Sequence, residues 1–252
     1  MEVKYITHSG DDLLVVNAAR VSMAKESDWE VEEEHFEQDT GIDVETGEKV
    51  FLRSATLVQK KKLSDRDKKL INYLAKHNHW TPFGHPHITL HLKVPIFVAR
   101  QLMRSNVGIV YNEVSRRYVD EEPEFWWPEN FEWRKRADKV KQGSSKETRK
   151  IKDETLAVYA AEPIDLAGYQ YIAKEVYDNL LAYEVAPELA RIVLPQNMYT
   201  EFYMTGSLAA FARVCKLRLD SHAQKEIRDV AAQIAEIMEE LFPVSWKALM
   251  EN

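Results

Sequence analysis

Arg104 to Tyr118, RSNVGIVYNEVSRRY, sets Arg104, Asn106, Asn112, Glu113, Ser115, Arg116 and Arg117 around a short apolar run, Val107 to Tyr111. Guanidiniums offer planar forks of donors that match phosphate and carboxylate oxygens, while Glu113, Asn112 and Ser115 hydrogen-bond neutral groups such as a sugar hydroxyl or a pyrimidine edge. An anionic nucleotide requires that combination. An Arg/Glu ion-pair network tying a loop to a helix would use the same residue types. A second polar set, RLDSHAQKEIR from Arg218 to Arg228, places Arg218 beside a predicted helix start at Ser221. Free backbone N–H groups there would favour an anion, unless the serine is simply a cap.

Five histidines, His77, His79, His85, His87 and His91, lie close enough in sequence to suggest a metal. Only neighbours three or four apart on a helix, or two apart on a strand, can share one ion, and no local Cys, Asp or Glu completes a zinc set. No metal is therefore expected; His87 and His91 read as the polar side of a strand, and His79 and Thr81 as a ligand-facing turn before Pro82. Cys215 is the single cysteine, which excludes an internal disulfide and a cysteine-cluster zinc site. Its apolar neighbours Val214, Leu217 and Phe211 predict a buried structural thiol rather than a nucleophile.

The elements that must position these groups follow from pattern. Residues 12 to 22, DLLVVNAARVS, read as a short strand or helix ending in a polar turn with Arg20 and Ser22. The acidic segment 29–49 reads as a solvated insertion or loop. Ser64 followed by Asp65 and Asp67 is an N-cap, with Leu70, Ile71 and Leu74 along one stripe. Ile88, Leu90, Leu92 and Val94 alternate with polar residues, the period of a half-buried strand. Pro95 ends that strand, and Ile96 to Met103 reads as a helix entered through the proline that delivers Gln101 and Arg104. Residues 121–133, rich in tryptophan and proline, are an irregular packed segment, and the basic segment 134–152 is a mobile surface loop or a phosphate patch. The last hundred residues are mainly helical: Glu154 to Leu181 broken near Pro163, a helix opened by Pro187, a strand from Tyr199 to Thr205, LAAFARVCKLR after Gly206-Ser207, and Ser221 to Leu241 with Ile227, Val230, Ile234 and Leu241 facing the core.

Composition bounds the class. Hydrophobic residues make up 45% of 252 and charged residues 30%, as in ordinary globular proteins. No apolar run is long enough for a membrane span and the N-terminus lacks the apolar core of a signal peptide, so no membrane partner and a cytoplasmic location are expected. A net charge of −7 argues against nucleic-acid binding.

NAARVS (Asn17 to Ser22), HNHWTPF (His77 to Phe83), VPIFVARQLMRSNVGIVYNEVSRRY (Val94 to Tyr118), and ARIVLPQNMYTEFY (Ala190 to Tyr203) with RLDSHAQKEI (Arg218 to Ile227) resemble, jointly and in order, the flavin-dependent thymidylate synthases. The resemblance implies an α+β fold: one domain, residues 1–252, with a mainly antiparallel sheet flanked by helices. It further implies a homotetramer with active sites shared between subunits. The implied reaction is reductive methylation of dUMP to dTMP, with 5,10-methylenetetrahydrofolate as carbon donor, FAD as hydride carrier and NADPH as reductant. The dUMP site falls on Gln101, Arg104, Glu113, Ser115, Arg117, Arg191 and Arg218. FAD falls on His79, Thr81, Ser105, Asn106, Glu113, Ser207 and Arg213, with His222 and Tyr118 as candidates for ring stacking. Arg218 is the candidate catalytic cation at the uracil N3/O2 edge, and Ser115 lies at the reacting end of the pocket.

In place of the family's Arg-His-Arg the chain reads Arg104-Ser105-Asn106, with one extra residue before Ser115. A weaker hold on flavin or folate is expected there. Two other readings use the same residues: a metal-dependent nucleotide phosphohydrolase built on the 77–91 histidines, and a catalytically weak flavin- or nucleotide-binding protein.

Overall fold

The computed structural model describes residues 1–38, 54–119, 122–129, 132–136, 144–150 and 166–252. In chain order the elements are β1 (Glu2–Ser9), α1 (Asp12–Arg20), β2 (Glu30–Gln38), β3 (Ser54–Lys62), α2 (Asp65–Lys76), β4 (His87–Pro95), α3 (Ile96–Leu102), β5 (Ile109–Glu113), β6 (Glu132–Arg136), β7 (Ser144–Lys150), α4 (Leu166–Ala182), α5 (Pro187–Ala190), β8 (Tyr199–Ser207), α6 (Leu208–Arg218), α7 (Lys225–Leu241) and α8 (Pro243–Glu251). Four strands form one antiparallel sheet in the order β1-β4-β8-β5. The expected α+β class, a mainly antiparallel sheet flanked by helices, is the one observed.

Strand alternation places the core. Ile88, Leu90, Leu92 and Val94 of β4 and Phe202 and Met204 of β8 point to one face and are buried. Against that side lie Phe211 and Val214 of α6, and Ile227, Val230, Ile234 and Met238 of α7, whose spacing of three and four residues makes one apolar stripe. The Ser64 cap is as expected: its hydroxyl accepts from the Asp67 backbone N–H at 3.1 Å. Asp12 ties the two ends of the chain together, its carboxylate accepting from the N–H groups of Val244 and Ser245, both at 2.9 Å, at the start of α8.

Of the two readings of residues 12–22 the helix holds, over Asp12–Arg20, followed by a turn of 3₁₀ helix at Val21–Met23. Several other expectations need correction. The acidic segment is not a loop over its first part, because β2 pairs with β3 in a hairpin; Glu30 faces Lys62 and Glu32 faces Lys60 across it, so opposite charges offset the repulsion that favours an extended loop. The remainder of that segment, 39–49, lies outside the described residues. The basic segment also forms a hairpin where described, β6 with β7, while residues 137–143 and 151–152, and the expected helix before Leu166, fall outside. Pro95 ends β4 and is the N-cap of α3, which starts at Ile96 as expected and stops at Leu102, one residue short of the expected Met103. The helix expected at Ser221 begins at Lys225, so Ser221 is not its cap. The segment 122–129 is irregular and packed as expected: Trp126 N–H donates to the Asn197 carbonyl at 2.8 Å, and its ring meets Phe97 edge-on at 5.4 Å.

Candidate active site

β5 was not anticipated, and it organises the site. Gly108, at φ +74, turns the chain from the end of α3 into the strand, a conformation that a side chain would strain, and an added Cβ would press on Ala210 at 3.2 Å. Opposite it on β8, a Cβ on Gly206 would meet the Gly108 carbonyl oxygen and Ile109 Cγ1, both at 2.9 Å, so the absence of a side chain permits the close approach of the two strands. This brings the loop 105–108 onto the start of α6. There Arg213 Nη2 donates to the Val107 carbonyl, and the Ser207 hydroxyl caps α6 by accepting from the Ala210 N–H at 3.3 Å.

At the other end of α6, Arg218 Nη2 donates to the Gln101 carbonyl of α3, while its Nε–H is buried without a partner. Burial lowers the Arg218 pKa, and the neighbouring Arg104 guanidinium lowers it further; Tyr111 opposes both. Burial pushes the Tyr111 hydroxyl up to about 12, which leaves it a neutral donor, bonded to the Leu102 carbonyl at 3.2 Å. At the end of β5 Glu113 accepts from Thr200 Oγ1 at 2.6 Å; beyond it Ser115 Oγ accepts from Arg117 Nε at 3.1 Å, and the Arg117 guanidinium lies 5.0 Å from the Tyr118 ring centroid. Glu113 and Arg191 line one open groove of about 740 Å³ together with Ile192, Thr200 and Tyr203.

The predicted residues therefore fall into groups. Gln101, Arg104 and Arg218 meet at the C-terminal ends of α3 and α6; Ser105, Asn106, Ser207 and Arg213 gather at the N-terminal half of α6; Glu113, Ser115, Arg117, Tyr118 and Arg191 follow β5. His79 and Thr81 are exposed on the turn after α2, and His222 is exposed and bonded to Asp220 at 2.9 Å. Missed in the sequence were Tyr111 and Gln224, although Gln224 stands inside the polar set that begins at Arg218. All five predicted site arginines, 104, 117, 191, 213 and 218, lack a carboxylate partner among the described residues, even though acidic residues outnumber basic ones in the chain.

The histidines of 77–91 go to separate partners. His77 and His79 gather around the Tyr73 ring, His87 Nδ1 bonds the His85 carbonyl at 2.9 Å, and His91 faces Glu201 at 3.3 Å. Among the described residues no three His, Cys, Asp or Glu side chains are grouped to hold a metal ion. Cys215 is fully buried and burial pushes its thiol up to about 12, so it is inert. No helix among the described residues is long and apolar enough to cross a membrane.

An antiparallel sheet with helices on its core side, and guanidiniums without a carboxylate partner among the described residues, is an arrangement suited to a small anionic molecule. The chain belongs to the family described as thymidylate synthase complementing protein, which it matches over residues 4–244. It is 40% identical over 249 residues to a flavin-dependent thymidylate synthase of Thermosipho africanus, covering 99% of this chain and 90% of that one. With an enzyme of the same name from Thermus thermophilus it shares 37% identity over 250 residues, 99% of this chain and 76% of the other. Among solved structures it resembles a UMP/dUMP methylase, PolB from Streptomyces cacaoi, bound with 5-Br dUMP, at a TM-score of 0.71 and 28% identity, covering 99% of this chain and 94% of that one.

Proposed function

We propose that this protein is a flavin-dependent thymidylate synthase, methylating dUMP to dTMP with 5,10-methylenetetrahydrofolate as carbon donor, FAD as hydride carrier and NADPH as reductant. Family membership supports the reaction, and one observation carries the site: among the described residues Arg104 and Arg218 stand together with no carboxylate, and Arg218 keeps a buried donor without an acceptor. Placing two like charges together costs free energy unless an anion completes the set.

The uracil C5 is a poor nucleophile until charge on the ring is stabilised. Addition of a cysteine to C6 is one route, and the buried Cys215 closes it for this chain's only thiol. Arg218 instead holds negative charge at the N3/O2 edge, where a fixed donor withdrawn from water is strongest. Arg117 and Arg191 take the phosphate, with Gln101, Glu113 and Ser115 on neutral groups. No base touches Ser115, whose oxygen instead accepts from Arg117; its role is binding at the reacting end. FAD, once bound and reduced by NADPH, would supply the hydride for the reductive methylation. The residues present suit its phosphates: Arg213 is exposed and unpaired by any carboxylate among the described residues, and Asn106, Ser105, Thr81 and His79 add donors, with Glu113 an acceptor. Ser207 contributes least, since its hydroxyl caps α6.

The groups sit before and after β5, and its four residue steps span about 14 Å. That separation supports active sites shared between subunits of a homotetramer, in which His222 or Tyr118 of a neighbouring copy stacks on a ring. A native mass measurement tests the assembly. The same reading carries a cytoplasmic location. The decisive experiment is an absorption spectrum of the purified protein, followed by NADPH and then dUMP with folate. A yellow protein bleached by NADPH that forms dTMP is expected. Bound FAD without dTMP would favour a weak flavin-binding protein, and a colourless protein that takes up no added FAD would end the reading.

A further inference from the structure

Behind Gln101 and Arg218 runs a chain of hydrogen bonds that ends on the β6–β7 hairpin. Arg134 of β6 donates from Nη1 and Nη2 to the two carboxylate oxygens of Glu226, at 2.6 and 2.7 Å. Gln224 Nε2 donates to Glu226 Oε2 at 2.9 Å, and Gln101 Nε2 donates to Gln224 Oε1 at 2.5 Å. Arg218 closes the chain on the Gln101 carbonyl. Glu226 is 4% exposed. Burial alone would raise its pKa, but the Arg134 fork, a backbone N–H and Gln224 outweigh that and keep it below the usual carboxylate range.

An amide can present either end, and nothing in an isolated Gln–Gln contact chooses between them. Here the ionised carboxylate chooses, because it accepts and cannot donate. Gln224 must turn its NH2 toward Glu226 and its carbonyl toward Gln101. Gln101 must then give its own NH2 to Gln224, and its Oε1 is the acceptor left over. We propose that Arg134, Glu226 and Gln224 are positioning residues that fix the direction of the Gln101 amide, so that the nucleotide site offers an acceptor at Gln101 beside the donors of Arg218. The ligand group met by Gln101 Oε1 is accordingly a donor, an N–H or a hydroxyl, next to an oxygen met by Arg218. The inference rests on the reading of Gln101 and Arg218 as nucleotide ligands, and it gives the hairpin a task at the site.

The test measures dUMP binding to the FAD-loaded protein by equilibrium dialysis, with FAD content and thermal midpoint recorded for each variant. Gln224→Met keeps the volume and removes both hydrogen bonds; dUMP affinity falls about tenfold, with FAD content and midpoint retained. Gln224→Glu is the sharper arm. At the lower end of a pH series the Glu226 carboxylate favours the introduced carboxyl in its neutral form, against the pull of Arg134, donating to Glu226 and accepting from Gln101 as the amide does; at the higher end it ionises and the two repel. The ratio of variant to native affinity is therefore near one at the lower pH and drops about tenfold at the higher, while titration of the dUMP phosphate cancels in the ratio. Unchanged affinity in Gln224→Met, or a ratio independent of pH, overturns the proposal. Should the Gln224 variants not fold, Arg134→Lys, which replaces the fork by one point charge, must weaken dUMP about threefold without loss of FAD, and no change overturns the proposal equally. Failure of the native protein to bind dUMP sinks the nucleotide reading itself, a different result from any of these.

Discussion

Arg20 and Arg218 are each the last residue of a helix, α1 and α6; Arg20 is buried and Arg218 half-buried, and among the described residues only Arg20 has a carboxylate partner. Its Nη2 and Nε reach Asp67 Oδ1 at 2.5 and 3.1 Å, and Asp67 also accepts from Ser27 Oγ at 3.0 Å and Ser64 Oγ at 2.8 Å. That cluster is closed within the chain, so it locks α1 to the start of α2 and, through α2, sets the HNHWTPF turn. Arg218 bonds only a backbone carbonyl, faces Arg104 and keeps an unused donor. A charge satisfied within the chain belongs to the scaffold, and one that is not is the kind the proposed nucleotide site requires.

The largest expected effect tests the scaffold half. Asp67→Ala leaves Arg20 buried and unpaired and should cost about 3–5 kcal/mol of stability in a denaturant melt, with turnover of the folded fraction retained. An unchanged midpoint would erase the contrast. Arg218→Ala should do the reverse, lowering turnover about a hundredfold or more while the melt stays near the native one. If kinetics showed unchanged turnover with weaker dUMP binding alone, Arg218 would be an anchor and not an activating group.

Acid sharpens the same comparison. Burial would raise the Asp67 pKa, but the hydrogen bonds from Arg20, Ser64 and Ser27 outweigh it and hold the carboxyl below its usual value, as Arg134 does for Glu226. A carboxyl depressed in the folded state binds fewer protons than in the unfolded chain. Its contribution is fully present above the unfolded value, about 4, and is lost as pH falls through the folded one. Stability should therefore drop on acidification below about pH 4, and less steeply in Asp67→Ala than in the native protein. The smallest effect is at Cys215, which lies on α6 three residues before Arg218: Cys215→Ala should cost about 1 kcal/mol in the melt and leave turnover intact. An inactive but folded variant that still binds dUMP and FAD would reopen the thiol route.

Much of the scaffold was legible because its signals are local. The alternation of Ile88 to Val94 and the Ser64 cap each depend on residues within one or two turns of chain. The two hairpins were not, since the acidic and basic segments that read as loops acquire strand partners only when Lys60 and Lys62 face Glu32 and Glu30, or when Arg134 finds Glu226, 92 residues away. β5 was hidden for the same reason: its five residues mix Asn112 and Glu113 with apolar side chains, and β8 supplies the pairing.

By itself the sequence determined the chemistry available: the arginines, amides and carboxylates in ordered blocks, the family those blocks belong to, and a single cysteine among apolar neighbours. Side-chain type sets hydrogen-bonding capacity whatever the fold. Tertiary structure alone decided which of these groups are spent. Asp67 and Glu226 neutralise Arg20 and Arg134, the Ser207 hydroxyl goes to a cap, and Arg104 and Arg218 come together with no carboxylate beside them. A partner that is distant in sequence is fixed only when packing of the sheet and helices brings two chain segments within hydrogen-bond reach, and that reach separates an arginine neutralised within the chain from one that is not.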